Sequence, residues 1–394
     1  MHMAKFEEIE QILLCIIQED SNTNKINKKI QDFNDSNWLA LYELATKSGL
    51  SFVFYSRLLS LKLKNIPSEF LSKLKNLYLL NLKRNILLEQ ELFIILSYLQ
   101  GLNIAVIALK GPLLARYLYN DLALRQASCD LDLLVKYENI EETEQKLQKI
   151  GYSFALGKGG QADFFHRFRK QITLQKHREG LNDTILDLHW DFRDRFINTH
   201  LEEFWLNAAY INLDGHRILA PSEEDLLLYL TLNAVSDFDF VQIKYLYDIH
   251  QLITTRAKNI NWNILVSKAR QISLGAVIFV TLRLCRDLFN TDIPQKILGS
   301  RKSVIRDNLI KLWINKKNIL RFREKIASGY IWRHFVSSYI LSKNIFACMR
   351  IIYNKIFLPM DEVMYFYEQP LSKAPYSLYI KRLLKPIIDF FKFF

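Results

Sequence analysis

Two aspartates separated by one leucine, in Asp130-Leu131-Asp132-Leu133-Leu134-Val135, have the type and spacing to do metal chemistry. The apolar residues around them read as a strand. Strand residues alternate faces, so Asp130 and Asp132 point the same way. Two acids on one face repel, and a cation between them removes that cost; oxygen ligands so arranged suit Mg2+. Upstream, the apolar run Ile104 to Leu109 ends in Lys110-Gly111-Pro112, and a helical pattern follows from Leu113 to Tyr119. A strand–glycine–helix junction lets the backbone approach a ligand and aims free helix N–H groups at it. Pro112 fits the first helical turn, where its missing N–H is not needed. Lys110 adds positive charge beside those amides. Together these parts suit a polyphosphate and the metal that bridges its oxygens. A loop holding Arg125 and Ser128 joins the helix to the acid strand.

Each signal alone has a plainer reading. Asp-x-Asp on a strand is common, Gly-Pro after a strand is usually a turn, and Arg125 reads equally as a solvated loop residue. Their order carries the weight: strand, Lys-Gly, helix, Arg, Asp-x-Asp strand.

Lys110-Gly111, Arg125 and the Asp130-x-Asp132 strand resemble the polymerase β-like nucleotidyltransferase superfamily, and within it a bacterial branch with a Leu-Lys-Gly motif. Most of that superfamily has Gly-Ser where this chain has Lys110-Gly111. The likeness covers about residues 100–255, including Pro221-Ser222-Glu223-Glu224-Asp225 at the start of a following helix. It implies an α+β fold, a small mixed β-sheet core flanked by helical N-terminal and C-terminal regions. It also implies a third carboxylate on a neighbouring strand. Ile185-Leu186-Asp187-Leu188-His189-Trp190 supplies one, with Asp187 and His189 on one face.

The implied enzyme moves an NMP from an NTP to a hydroxyl acceptor and releases pyrophosphate. Asp130, Asp132 and Asp187 are the expected catalytic and metal-holding residues, with Mg2+ or Mn2+ as the ion. Lys110, Gly111, Arg125, Ser128 and Lys244 are the expected nucleotide-binding set. Ser128 stands too near the acid strand to be equated with the absent serine. Lys244 and Asp248, one helical turn apart, also read as a plain surface pair. The acceptor, whether a small molecule, RNA or protein, is left open.

The chain has 394 residues, half of them apolar, enough for two or three domains with ample core. The expected division is a helical region at 1–100, the catalytic core at 101–220, a helical bundle closing the cleft at 221–300, and a basic aromatic-rich region at 301–394. No uncharged apolar run reaches the roughly 18 residues a bilayer requires. Glu7, Glu8 and Glu10 stand where a signal peptide would be basic. Cys15, Cys129, Cys285 and Cys348 show no paired spacing, which argues against a zinc site or disulfide framework. These features lead to an expectation of a cytoplasmic protein, with a membrane-peripheral one as the alternative. Cys129 is expected to face away from the acids.

Residues 301–394 hold 18 Lys and Arg against 6 Asp and Glu, which is the whole net charge of +12. Trp313, Phe322, Tyr330, Trp332, Phe335 and Tyr339 lie among them. Basic residues interleaved with aromatics can grip nucleic acid or an anionic membrane surface, or be an ordinary helical domain with a solvated basic face. An alternative function follows: a catalytically inactive nucleotidyltransferase fold that binds RNA, a protein partner or a membrane through this region.

Helical patterns run through residues 4–100, with Ile9, Ile12, Leu13, Ile16 and Ile17 on one face and one long or kinked helix from Ser68 to Leu99. Tyr152 to Leu156, Ile172 to Lys176 and Thr184 to Trp190 read as strands, the last two paired around a turn near Gly180. Gly157-Lys158-Gly159-Gly160 lacks the strand–helix setting of a phosphate loop and reads as a flexible lid. His166, Arg167, Arg169, Lys176 and His177 form a basic hairpin. From Ser222 onward the pattern is helical again, interrupted in the tail by prolines.

Overall fold

The computed structural model describes residues 3–18, 22–155, 170–179, 183–192, 201–236, 243–272 and 274–298, with single helical positions at 349 and 380. Helices α1 (Met3–Ile17), α2 (Thr23–Ile30), α3 (Asp35–Ser48), α4 (Ser51–Leu61) and α5 (Ser68–Gly101) come first. Asn34 caps α3: its side chain accepts from the Asn37 N–H at 3.1 Å, and the Asn37 side chain accepts from the Asn34 N–H at 3.2 Å. The helix stops at Gly49, whose φ of 75° is the left-handed conformation that glycine adopts with no Cβ penalty.

The sheet segment follows: β1 (Val106–Ala108), α6 (Pro112–Tyr119), β2 (Asp130–Val135), α7 (Ile140–Lys149), β3 (Ser153–Phe154), β4 (Gln171–Lys176) and β5 (Thr184–His189). Then come α8 (Leu201–Leu206), the hairpin β6 (Ala209–Leu213) and β7 (His216–Ala220), and helices α9 (Glu223–Ser236), α10 (Ile243–Arg256), α11 (Trp262–Gln271), α12 (Gly275–Phe289) and α13 (Gln295–Leu298). Among the described residues the strands form one mixed sheet in the order β3-β4-β5-β2-β1-β7-β6. The pairs β2–β5 and β1–β7 are parallel and the rest antiparallel. This is the α+β architecture the sequence implied.

Alternation along the strands separates two cores. Leu131, Leu133 and Val135 of β2 and Leu186 and Leu188 of β5 bury against Leu88, Leu92, Ile95 and Leu99 of α5. Ile107 and Leu134 face the other way. They join a second core with Leu13, Leu41 and Phe54 of the first helices and Leu227, Leu246 and Leu282 of the later ones. The N-terminal helices therefore pack directly on the last ones, and Gln18 donates from Nε2 to the Leu288 carbonyl at 2.8 Å. The sheet face carrying Asp130, Asp132, Asp187 and His189 is held between these helical layers. Among the described residues, no helix is long and apolar enough to cross a membrane.

Candidate functional site

The acid face is built by one register. Parallel pairing of β2 and β5 sets Asp132 opposite Asp187 and Leu134 opposite His189. Asp132, Asp187 and His189 each offer a ligand atom within 4.8 Å of the others. Asp132 is only 2% exposed. Its Oδ1 accepts from Lys110 Nζ at 3.0 Å and lies 3.0 Å from His189 Nε2, while its Oδ2 is buried with no partner. Asp187 is held from the neighbouring strand: Thr173 Oγ1 donates to Oδ1 at 2.6 Å and Gln171 Nε2 to Oδ2 at 3.0 Å.

Burial and charge act on these groups in opposite directions. Burial, reinforced by the Asp132 charge, holds the Asp130 carboxyl above the usual carboxylate range. Burial also raises Asp187, against the Thr173 hydrogen bond. Burial pushes Asp132 up as well, but the Lys110 charge and the His189 hydrogen bond outweigh it and hold Asp132 low. Lys110 is pushed down by burial, yet Tyr229 and the two aspartates raise it above an ordinary lysine.

Gly111 turns the chain from β1 into α6 with φ 72° and ψ −137°, a conformation open only to glycine, and Pro112 occupies the first helical turn as expected. A Cβ at Gly111 would sit 3.4 Å from Ser128 Oγ. Ser128 itself donates to the Asp130 carbonyl at 2.6 Å, closing the loop onto the start of β2.

Arg125 lies beneath this turn and is almost fully buried. Its Nε and Nη2 donate to the Asp248 carboxylate at 2.9–3.1 Å, and its Nη1 donates to the Gly111 carbonyl at 3.4 Å. Tyr119 donates to Asp248 Oδ1 at 2.7 Å. Asp248 thus pairs with Arg125 and not with Lys244. The local spacing on α10 suggested a surface pair, but Asp248 points into the interior. Asn81 and Asn85 on α5 donate to the carbonyls of Leu122, Ala123 and Arg125 at 2.6–2.9 Å, and Asn81 accepts from the Ala127 N–H. These bonds fix the loop that carries Arg125 and Ser128.

Lys110, Arg125, Ser128, Asp130 and Lys244 line one cleft of about 310 Å³, with Asp132 and Gly111 adjoining it. Gly49 closes its far side. A Cβ there would meet Gln126 Oε1 at 2.6 Å and Lys244 Cδ at 2.9 Å, so a larger residue would displace both side chains. Cys129 also lines the cleft and is exposed. It was expected to face away, but β2 begins at Asp130 and strand alternation does not reach it.

Sequence reading left three groups out of the site: His189, Asp248 and the α5 asparagines. His189 had a signal, since it alternates with Asp187. The basic hairpin divides. Lys176 binds Glu91 of α5 at 3.0 Å, and His177 pairs with Asp183 at 2.8 Å on the surface. Gly157 to Gly160, His166, Arg167, Arg169, the turn near Gly180 and, apart from positions 349 and 380, the basic region 301–394 lie outside the described residues.

The family described as "Uncharacterised nucleotidyltransferase" matches residues 34–290. The chain belongs to this family. It is a nucleotidyltransferase enzyme, and the match spans α3 to α12. Two solved structures are similar at lower resemblance. The lincomycin-bound lincosamide antibiotic adenylyltransferase LnuA is 20% identical over 42% of this chain and 95% of its own, with a TM-score of 0.29. An antigenic nucleotidyltransferase-like protein from Paracoccidioides brasiliensis is 15% identical over 54% of this chain and 97% of its own, with a TM-score of 0.30. No curated protein sequence matches.

Proposed function

We propose that this nucleotidyltransferase moves an NMP from an NTP to a hydroxyl acceptor in a Mg2+-dependent reaction at the acid face of β2 and β5. The observation that carries the reading is Asp132 Oδ2: a buried carboxylate oxygen with no partner, beside two further acids and a cleft lined with cations. Buried polar atoms are nearly always paired, and an orphan beside like charges fits an absent cation. Asp130, Asp132 and Asp187 would hold it. A bound divalent cation supplies Lewis-acid stabilisation of phosphate charge and lowers the pKa of the acceptor hydroxyl.

The chain's own residues do the rest. Lys110 and the backbone amides after Gly111 bind the triphosphate, with Lys244 closing from α10. Arg125, its charge met by Asp248, keeps the Gly111 turn and α10 at fixed separation. The acceptor oxygen bonds to the α-phosphorus, the bond to the bridging oxygen breaks, and pyrophosphate leaves. The hydroxyl proton passes to Asp187, which Thr173 and Gln171 hold in place.

Calorimetry of each of the four NTPs with Mg2+, wild type beside Asp130→Asn/Asp132→Asn, tests the reading. Binding of at least one NTP that needs both metal and acids is expected. NTP binding indifferent to the acids, or none by a folded protein, overturns it.

A further inference from the structure

The acid face contains a nitrogen. His189 follows Asp187 by two residues on β5 and so shares its face. Its side chain is 12% exposed and its Nε2 lies 3.0 Å from Asp132 Oδ1. That oxygen also takes the Lys110 ammonium, so Oδ2, buried and unpartnered, is the atom of Asp132 left for a cation. Asp187 keeps a lone pair on each oxygen after its bonds from Thr173 and Gln171, which orient the carboxylate as outer-shell partners do around metals. Two carboxylates and one imidazole thus converge within 4.8 Å.

We propose that His189 is a direct ligand of the divalent cation at Asp132 and Asp187, and that its nitrogen biases the site toward Mn2+ over Mg2+. The inference rests on the transfer reading above for the presence of a cation and adds its ligand and its selectivity. Mg2+ takes hard oxygen ligands and keeps its waters; Mn2+ also takes oxygen, but it opens the first-row series whose affinity for nitrogen rises from it, and it accepts an imidazole more readily than Mg2+ does. On binding, the contact between Nε2 and Asp132 Oδ1 gives way to a bond from Nε2 to the cation. Any proton on Nε2 moves to Nδ1 or to solvent, leaving the neutral ring as ligand.

Full-length protein loaded with Mn2+ in the absence of nucleotide is examined by pulsed electron paramagnetic resonance. Directly coordinated imidazole nitrogen is expected in the echo modulation. Labelling with 15N-histidine should change that signal and His189→Gln should remove it. Calorimetry on the same samples should show Mn2+ binding about tenfold tighter than Mg2+, and His189→Gln weakening Mn2+ about tenfold but Mg2+ only about twofold. Bound Mn2+ with no coordinated nitrogen overturns the proposal and leaves the transfer reading standing, with His189 merely bonded to Asp132. Failure of a folded protein to bind either ion, with or without NTP, overturns both.

Discussion

Two buried charge clusters, centred seven positions apart in the sequence, behave differently. Around Arg125 every charge is answered. The guanidinium is forked onto Asp248, its remaining nitrogen reaches the Gly111 carbonyl, and Tyr119 completes the carboxylate. Around Asp132 three carboxylates share one lysine and one histidine, an oxygen is left without a partner, and burial raises two of the acids. A closed cluster stabilises a fold or is neutral to it. An open one is an internal cost that persists where a ligand relieves it. The difference separates scaffold from site without reference to any relative.

The sharpest way to break that contrast is Asp130→Asn. Its folded carboxyl sits above the ordinary range, so the fold favours the neutral form. The substitution should cut turnover about 10³-fold, equivalent to about 4 kcal/mol, and leave the melting temperature unchanged or higher. A drop of several degrees would place Asp130 in the scaffold. Asp248→Ala should do the reverse. Stranding Arg125 in the interior should cost about 3–5 kcal/mol in urea unfolding, and the apolar pair Arg125→Met/Asp248→Leu should recover most of it.

A third comparison uses pH. His250 is closed in by Tyr247 and Phe289, and burial lowers its pKa from 6.5 to about 4. Thr291 spends its proton on the Cys285 carbonyl, so His250 Nδ1 carries the proton between them and the ring is neutral. A lowered folded pKa means the unfolded chain binds more protons in this window. Stability is therefore full above pH 6.5 and falls as pH drops toward 4, by about 3 kcal/mol. His250→Phe should flatten that slope in urea midpoints measured against pH. Asp130 and Asp187 have the opposite sign: their raised folded values favour the protonated fold, so their contribution grows as pH falls. Smallest in effect is Gly111→Ala, where positive φ should cost about 1–3 kcal/mol, read as a lower melting temperature with weaker NTP binding.

The acid strands and the Lys-Gly-Pro turn were readable because their physics is local. Alternation places Asp130 with Asp132 and Asp187 with His189, and the glycine and proline fit their backbone conformations. The hairpin of β6 and β7 was missed although Asp214-Gly215 marks it. Both residues have positive φ, the turn in which Asp-Gly is favoured. Asp248 and Asn81 were misjudged or passed over for a different reason. A polar residue on a helix reads as surface until another element supplies its partner, and the partners here lie 42 to 129 positions away. Helix periodicity shows an apolar face but gives no sign that an asparagine on it holds a distant loop.

The parallel pairing of β2 and β5 has a consequence for how the chain acquires activity. Asp132 and Asp187 face each other only after strands 55 positions apart have docked, a long-range closure of the kind that limits folding rates. Their mutual repulsion falls on that step. Refolding should therefore quicken with added salt or a divalent cation, which screens or bridges the approaching acids. During synthesis β2 waits, edge exposed, until β5 has been made, and the cleft is complete only once α10 has followed with Lys244 and Asp248.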